Sequence, residues 1–269
     1  MNSNVETIHK IVIIGSGNLA FHLGKRLLKK GNKIIQVYSR NKETGSELAA
    51  QFGASFIYES KKIDKSADIY CLCTNDEGII ELSKKIKLGK KLVIHFSGSV
   101  EMNVLKAISS NHGVLYPLQT FSRERKIKWK NIPLLLEASN SESKLLLEKL
   151  SLQLSKNYNY IISKQRKEIH LAAVVVSNFT NQLLHLANLF LEDCNNKNFN
   201  LLYPLIEETI QKAKDKSPFA GQTGPAKRND LIILKNQLLL LKKNPELSKF
   251  YSLFSESILN HHNRKNGKL

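Results

Sequence analysis

The sequence predicts an α/β fold, in which a doubly wound, mainly parallel sheet is followed by an all-α C-terminal domain. Through the first half of the 269 residues, short apolar segments alternate with segments of helical pattern, which is typical of a parallel sheet. A glycine-rich turn joins the first apolar segment to the first helical one. After residue 163 the strand patterns cease and helical patterns remain. We therefore expect two domains, residues 1–163 and 164–269.

The glycine-rich turn has the spacing of a dinucleotide-binding loop. The strand-like run Ile11–Ile14 leads into Gly15, Ser16, Gly17, Asn18, Leu19 and Ala20, and a helical pattern follows. Gly15 permits the tight turn, Gly17 lets the backbone approach a pyrophosphate, and Ala20 allows the helix to pack closely on the strand. A pyrophosphate would then lie at the positive end of the helix dipole. The pattern predicts a Rossmann-type domain.

The end of the second strand indicates which dinucleotide is bound. Lys33–Tyr38 reads as this strand, and no acidic residue occurs between Ala20 and Glu43. An NAD-specific fold would place an acid there to bind the ribose hydroxyls. Ser39 and Arg40 offer a hydroxyl and a cation that suit a ribose 2′-phosphate, so we expect NADP. The alternative is that these are solvated turn residues, which applies most strongly to Lys42.

Six further strands and four helices are predicted before residue 163. The predicted strands are Ala54–Tyr58, Ala67–Cys73, Lys91–His95, Gly113–Tyr116, Pro133–Ala138 and Tyr158–Ile162. The predicted helices are Thr44–Phe52, Glu77–Ile86, Met102–Ser109 and a Leu-rich helix between the last two strands. Ligands of open α/β sheets bind outside the carboxyl ends of the strands. The candidates at these ends are Thr74, Asn75, Ser97, Gly98, Gln119 and Thr120.

A long helix is predicted from about Lys164, and its Ile169–Leu191 part is apolar nearly all round. This indicates burial among helices or a subunit interface. At about 100° per residue the polar positions share one stripe. They are His170, Ser177, Asn178, Asn181, His185 and Asn188. The stripe either lines a polar cleft or forms a satisfied polar network. His170 is a candidate proton donor, since the ordinary pKa of histidine lies near neutrality, or else a helix-packing residue.

Thr223–Asp230 is a turn followed by a helix start, with Asn229 or Asp230 available as the cap.

Cys71, Cys73 and Cys194 lack metal-ligand spacing, so no metal is expected, and a reducing cytoplasm suits them. The N-terminal residues show no secretion signal.

The formal net charge is +18, which raises nucleic acid or an anionic membrane as partners. The basic residues are scattered along the chain, however, and no nucleic-acid-binding motif accompanies them. We therefore favour compositional bias and expect neither a nucleic acid nor a membrane as a partner.

Taken together, these segments resemble a family of bacterial Rossmann-like oxidoreductases with a C-terminal helical domain of unknown function. The matching stretches are Ile14–Leu23, His95–Ser99, Tyr116–Ser122, Ala173–Asn181 and Gln222–Asp230. The family is similar to pyrroline-5-carboxylate reductase, to deazaflavin-dependent NADP reductase and, more distantly, to ketopantoate reductase and the β-hydroxyacid dehydrogenases of the 6-phosphogluconate dehydrogenase-like superfamily.

The resemblance implies a hydride-transfer site between the strand ends and the long helix. Ketopantoate reductase and the hydroxyacid dehydrogenases use a Lys and an Asn one turn apart on this helix. Here Asn178 has Val174 and Gln182 at those spacings, so the pair is absent. The implied catalytic candidates are His170, Ser177, Asn178 and Asn181. The cofactor candidates are the residues of the glycine turn together with Ser39, Arg40, Thr74, Asn75, Ser97 and Gly98. The substrate candidates are Gln119, Thr120, Thr223 and Arg228.

The expected function is that of a cytoplasmic NADP-dependent oxidoreductase acting on a small polar metabolite, namely an imine, a carbonyl compound or a hydroxy acid. The alternative is a non-catalytic NADP(H)-binding sensor. We also expect a homodimer built on the helical domain, because a domain of about 100 residues has difficulty covering the apolar faces of its long helix.

Overall fold

A computed structural model of the chain describes residues 8–196 and 198–265. By compactness the chain divides into two units, residues 1–177 and 178–269. The division falls inside the long helical stretch that begins at Ser163, whereas the predicted domain boundary, residue 163, is where that stretch begins. The boundary at residue 163 stays a prediction.

The first unit contains an eight-stranded sheet of order β3-β2-β1-β4-β5-β6-β7-β8. Its elements are β1 Lys10–Ile14, α1 Asn18–Lys29, β2 Lys33–Tyr38, α2 Lys42–Phe52, β3 Ser55–Ile57, β4 Ile69–Leu72, α3 Asp76–Lys85, β5 Leu92–His95, β6 His112–Pro117, β7 Leu134–Ala138, α4 Ser141–Leu154, β8 Tyr158–Tyr160 and α5 Ser163–Val174. Neighbouring strands pair in parallel except β6 and β7, which are antiparallel. The predicted doubly wound, mainly parallel sheet is confirmed.

The apolar run of β1 follows from its central place in the sheet. Side chains alternate across a strand, so Ile11 and Ile13 enter one hydrophobic core while Val12 and Ile14 enter the other. The first core includes side chains of α1, α2 and α4, and the second includes side chains of α3. Both faces of the strand are therefore buried, as parallel sheets require.

The segment predicted as a helix over Met102–Ser109 is instead a 3₁₀ helix over Met102–Ala107. The amide of Val104 donates to Glu101 O, and the amide of Ile108 donates to Leu105 O, both three residues back. So short a segment offers few α-helical bonds to offset the cost of nucleation, which favours the tighter 3₁₀ turn.

The second unit is helical, in agreement with the predicted all-α C-terminal region. Its helices are α6 Thr180–Asp193, α7 Tyr203–Lys216, α8 Pro218–Gly221, α9 Leu231–Leu240 and α10 Pro245–Lys265. Asp230 is the cap of α9, where its carboxylate accepts from the amide of Ile233 at 3.1 Å. Helix α10 continues to Lys265, and residues 266–269 lie outside the described residues.

Few apolar side chains of the second unit are buried. Among its described residues the buried apolar ones are Leu186, Ala226 and Leu241. Leu201, Ile232 and Leu240, by contrast, are 67%, 76% and 70% exposed. The helices of this unit thus leave much apolar surface uncovered by the chain itself. None of the described helices has the length and apolar character that crossing a membrane requires.

Candidate functional site

The turn after β1 is shaped by Gly15. Its φ is +116°, and a Cβ at this position would lie 2.3 Å from the carbonyl oxygen of Cys73. The Gly15 amide donates to Tyr38 O at 2.7 Å, which ties the turn to the end of β2. Only glycine allows the chain to pass this close to the neighbouring strand end with a left-handed φ.

The start of α1 faces open space. Gly17 is the N-cap residue, no side chain caps this helix start, and its first turn holds no acidic residue. A Cβ at Gly17 would meet no atom within 4 Å. The amides of the first turn and the positive end of the helix dipole are therefore available to a negatively charged group.

A cavity of about 330 Å³ adjoins this turn, on the side of β2 and β4. Seven predicted cofactor residues line it: Gly15, Ser16, Gly17, Ser39, Arg40, Thr74 and Asn75. The sequence did not single out Asn41, Gly78 and Glu81, which line it as well. Gly78 and Glu81 lie on the helix that follows Asn75, and their spacing from Asn75 along that helix could have identified them as neighbours of the same strand end.

Several of these polar side chains already have partners inside the protein. Ser16 Oγ lies 2.9 Å from Ser39 Oγ and 2.7 Å from Thr44 Oγ1. Ser39 is only 6% exposed, and Asn75 caps α3 by accepting from the Gly78 amide at 3.1 Å. These groups shape the cavity, and Arg40 supplies its positive charge.

The charge of Arg40 is shared with a carboxylate. Its Nη1 lies 3.1 Å from Glu81 Oε2, with the two side chains 61% and 43% exposed. Glu81 also pairs with Lys85, and that hydrogen bond chiefly, with a smaller contribution from Arg40, lowers the pKa of the Glu81 carboxyl. Glu81, which lines the cavity beside Arg40, therefore lies between two cations.

A second polar pair lies at the ends of β5 and β6. Tyr116 Oη is 2.8 Å from His170 Nδ1, and the two rings meet edge to face. His170 packs on the backbone of Gly98, where a Cβ would lie 2.4 Å from the His170 Cγ. Burial raises the pKa of Tyr116, so its hydroxyl stays protonated and can donate to the imidazole. Tyr116 lies in the matching stretch Tyr116–Ser122, but the sequence did not predict it as a site residue.

The position of His170 is fixed by a buried ion pair one turn earlier. Arg166 is fully buried. Its Nη1 pairs with Glu137 on β7, and its Nη2 donates to the carbonyl of Val100. Glu137 also accepts from the hydroxyl of Ser163 at 2.7 Å. These bonds attach α5 to the sheet and to the loop after β5.

The other predicted residues of the first unit have varied surroundings. Ser97 Oγ donates to Asp76 at 2.7 Å, and Asn18 donates to the carbonyl of Phe121 at 2.8 Å. Leu19 packs against the core, and Ala20 is fully buried, as close packing of α1 on the sheet requires. Gln119 and Thr120 are exposed in the loop after β6.

The remaining candidates lie in the second unit or next to it. Ser177 is in a π-helical turn, Val175–Phe179, that joins α5 to α6. The single polar stripe was predicted for about 100° per residue throughout, and a π turn departs from that angle, so the stripe is not regular across this turn. Asn178, Asn181, Thr223 and Arg228 belong to the second unit. Their roles stay predictions.

Neither metal nor thiol chemistry is indicated by the described residues. Within residues 8–196 and 198–265, no three His, Cys, Asp or Glu side chains are grouped to hold a metal ion. Burial raises the pKa of Cys71 to about 12 and that of Cys73 well above its ordinary value, so both thiols remain protonated.

The fold and the glycine turn define a Rossmann-type dinucleotide-binding protein. The family model of "NADP oxidoreductase coenzyme F420-dependent" matches residues 10–97, and that of a domain of unknown function, DUF2520, matches residues 132–258. The crystal structure described as "putative NADP oxidoreductase BF3122" from Bacteroides fragilis is 38% identical, with a TM-score of 0.88 over 94% of this chain and 98% of that one. The chain belongs to this family of NADP oxidoreductases. The family resemblance and its cofactor, NADP, are thereby confirmed.

More distant structures share the fold. A reductive aminase from Aspergillus terreus, in complex with NADPH and ethyl-5-oxohexanoate, is 14% identical with a TM-score of 0.71, over 97% of this chain and 96% of that one. A pyrroline-5-carboxylate reductase from Coxiella burnetii is 15% identical with a TM-score of 0.56, over 96% and 98%. Leucine dehydrogenase from Bacillus cereus is 37% identical over 84 residues, which are 29% of this chain and 23% of that enzyme. The chain therefore matches only about a quarter of that curated relative's length.

Proposed function

We propose that this protein is an NADP(H)-dependent oxidoreductase that transfers a hydride between the nicotinamide and a small polar metabolite with a carbonyl or imine group. One observation carries the proposal. The uncapped start of α1 and the guanidinium of Arg40 lie on one cavity, the first suited to a pyrophosphate and the second to a ribose 2′-phosphate.

When bound, NADPH supplies the hydride, and the protein supplies binding and orientation. The backbone at Gly17 leaves room for the pyrophosphate, since a Cβ there meets nothing within 4 Å. The seven predicted cofactor residues on the cavity are the ones that we assign to binding. Ser39 acts there by holding Ser16, because its own hydroxyl is nearly buried.

The Tyr116–His170 pair is the proposed source of the proton that accompanies hydride transfer to a carbonyl or imine. With the Tyr116 hydroxyl donating to Nδ1, the neutral imidazole carries its proton on Nε2. Tyr116 fixes this tautomer, and as the Nε2 proton passes to the reacting oxygen or nitrogen, Nδ1 takes the proton of the Tyr116 hydroxyl, so the imidazole stays neutral and Tyr116 regains its proton from solvent. Gln119 and Thr120, in the loop that follows the strand of Tyr116, are the proposed substrate contacts in the first unit.

The absence of a lysine one turn from Asn178 argues against the mechanism of ketopantoate reductase and the hydroxyacid dehydrogenases, and so supports an imine among the proposed substrates. Val174 and Gln182 occupy those positions. Asn178, Asn181, Ser177, Thr223 and Arg228 remain further proposed contacts to the substrate.

The test combines binding and turnover with the full chain. NADPH binding is followed by calorimetry, and NADPH oxidation by absorbance, with a panel of small ketones and aldehydes, each with and without ammonium or a primary amine. The key variant is Gly17→Asp. Its side chain has space and Asp is a favoured N-cap, so the fold is retained while the carboxylate repels the pyrophosphate.

Gly17→Asp should bind NADPH at least about tenfold more weakly than the wild type, with an unchanged melting temperature. Equal binding by both proteins would overturn the assignment of the glycine turn. Tight NADPH binding without turnover across the whole panel would overturn the enzyme proposal and favour the sensor.

We also propose a homodimer that covers the second unit. Its described helices expose Leu201, Ile232 and Leu240 by two thirds or more, and few apolar side chains there are buried. Light scattering at micromolar concentration should give twice the mass of the chain, and a monomer would refute the proposal. A cytoplasmic location suits the three free cysteines.

A further inference from the structure

A strongly basic groove lies on the outer side of α1. It has a volume of about 560 Å³ and is lined by residues of α1 and of the segment 123–130. Eight of the lining side chains are basic and one, Glu124, is acidic. The groove shares no lining residue with the cavity at the glycine turn, so it is a separate feature of the first unit.

Two of these cations have partners within the protein. Arg26 Nε donates to Gln153 O at 2.8 Å, and Arg123 donates to Ser16 O at 2.7 Å and lies 3.9 Å from Glu47. The six others make no ion pair within the part of the chain that the structure describes. They are Lys25, Lys29, Arg125, Lys126, Lys128 and Lys130. Like charges gathered in one concave surface repel each other, and a bound anion removes that cost.

The groove is held in shape without a ligand. The side-chain Nδ2 of Asn18 donates to Phe121 O at 2.8 Å, and His22 Nε2 lies 2.9 Å from Ser122 O. Trp129, 5% exposed, packs against Phe121 with ring centroids 5.6 Å apart. The basic segment is thus attached to α1 at its start and through a buried aromatic side chain, as expected of a preformed site.

The aromatic side chains of the groove argue against base stacking. Trp129 is buried, and the ring of Phe21 has Lys25 Nζ at 4.0 Å and Arg123 Cζ at 5.5 Å. The ring of Trp129 is thus closed to a nucleobase, and two cations already contact the ring of Phe21, whereas proteins that bind single-stranded nucleic acids provide free aromatic faces. The volume is instead that of a small-molecule site.

We propose that this groove binds a small anion that carries several phosphate groups. Compact, multiply charged phosphates match six cations without an ion pair better than a single carboxylate does, because each lysine acts as a point charge toward phosphate oxygens. The site is independent of the proposed oxidoreductase function.

The experiment is calorimetry of the full chain with sodium tripolyphosphate. The groove variant Lys25→Gln/Lys29→Gln should bind it about tenfold more weakly than the wild type, and Lys126→Gln/Lys128→Gln should show a similar loss. The matched control is Lys61→Gln/Lys65→Gln, which removes two exposed lysines outside the groove. It should stay within twofold of the wild type. Unchanged melting temperatures and NADPH binding show that the variants are folded.

Three outcomes would overturn the proposal. The first is that the wild type does not bind tripolyphosphate at 50 mM salt. The second is that both groove variants bind it as tightly as the control, which would place the ion elsewhere. The third is that a 12-nucleotide single strand binds the groove and tripolyphosphate does not displace it, which assigns the groove to nucleic acid.

Discussion

Replacing Glu81 by glutamine should tighten NADPH binding and leave NADH binding unchanged. Arg40 is the proposed ligand of the 2′-phosphate, and its Nη1 is engaged with the Glu81 carboxylate at 3.1 Å. Binding of the phosphate by this nitrogen competes with the ion pair, and the carboxylate also repels the phosphate. Glutamine removes the negative charge and keeps the shape.

The magnitude follows from the exposure of the pair. With side chains 61% and 43% exposed, this ion pair belongs to the weak surface class. Loss of this ion pair in Glu81→Gln should therefore lower the dissociation constant of NADPH by about two- to fivefold. Arg40→Gln removes a charge-assisted bond to the phosphate, and the exposure of Arg40 limits the effect to about a tenfold loss.

Calorimetry with NADPH and NADH measures both effects. In Arg40→Gln/Glu81→Gln the second substitution should bring a smaller improvement, since it relieves only the repulsion of the phosphate and Arg40 is no longer there to be released. Glu77→Gln is the matched control, because it removes the same charge from an exposed position of α3 that does not line the cavity. Weaker NADPH binding by Glu81→Gln, or an equal gain in Glu77→Gln, would refute the reasoning.

Three further predictions concern the first unit. Tyr116→Phe should lower kcat about 10- to 100-fold and shift its pH profile without changing NADPH affinity, because His170 loses the donor that fixes its tautomer; an unchanged kcat would contradict the proposed pair. Glu137→Leu leaves Arg166 buried without its counter-charge and should lower the free energy of unfolding by about 3 kcal/mol in urea titrations, whereas a loss below about 1 kcal/mol would show that the pair is not needed. Burial lowers the pKa of His95 to about 3, so the unfolded chain takes up its proton first as the pH falls below about 6.5, and the free energy of unfolding should drop by up to about 1.4 kcal/mol per pH unit toward pH 5. His95→Gln should flatten this dependence, and an equal slope in both proteins would assign it to other groups.

The features predicted best from the sequence are those that depend on neighbouring residues. Ile11–Ile14 is apolar without interruption because both faces of β1 are buried. Such a run next to a glycine turn can be recognised from consecutive residues of the sequence alone. The turn itself follows from the same local rule, since Gly15 must adopt a positive φ next to Cys73. The 3₁₀ segment was missed because its apolar pattern does not distinguish it from a short α-helix.

The pairs that define the site were not predictable in this way. Glu81 reaches Arg40 across 41 positions of sequence, and His170 reaches Tyr116 across 54. The first contact depends on the strand order β2-β1-β4, and the second on the attachment of α5 by Arg166. No periodicity within one element contains such information, so the sequence placed candidates at strand ends without their partners.

The π turn at Val175–Phe179 changes which of the predicted catalytic residues deserve to be tested first. A common site for these residues requires a regular helix from His170 to Asn181, and that regularity ends at the turn. His170 lies before it, on a helix attached to the sheet, and has a hydrogen-bonded partner at the end of β6. Because this pair needs no regular stripe, it should be tested first, and Asn178 and Asn181 are then tested in the background of an intact Tyr116–His170 pair.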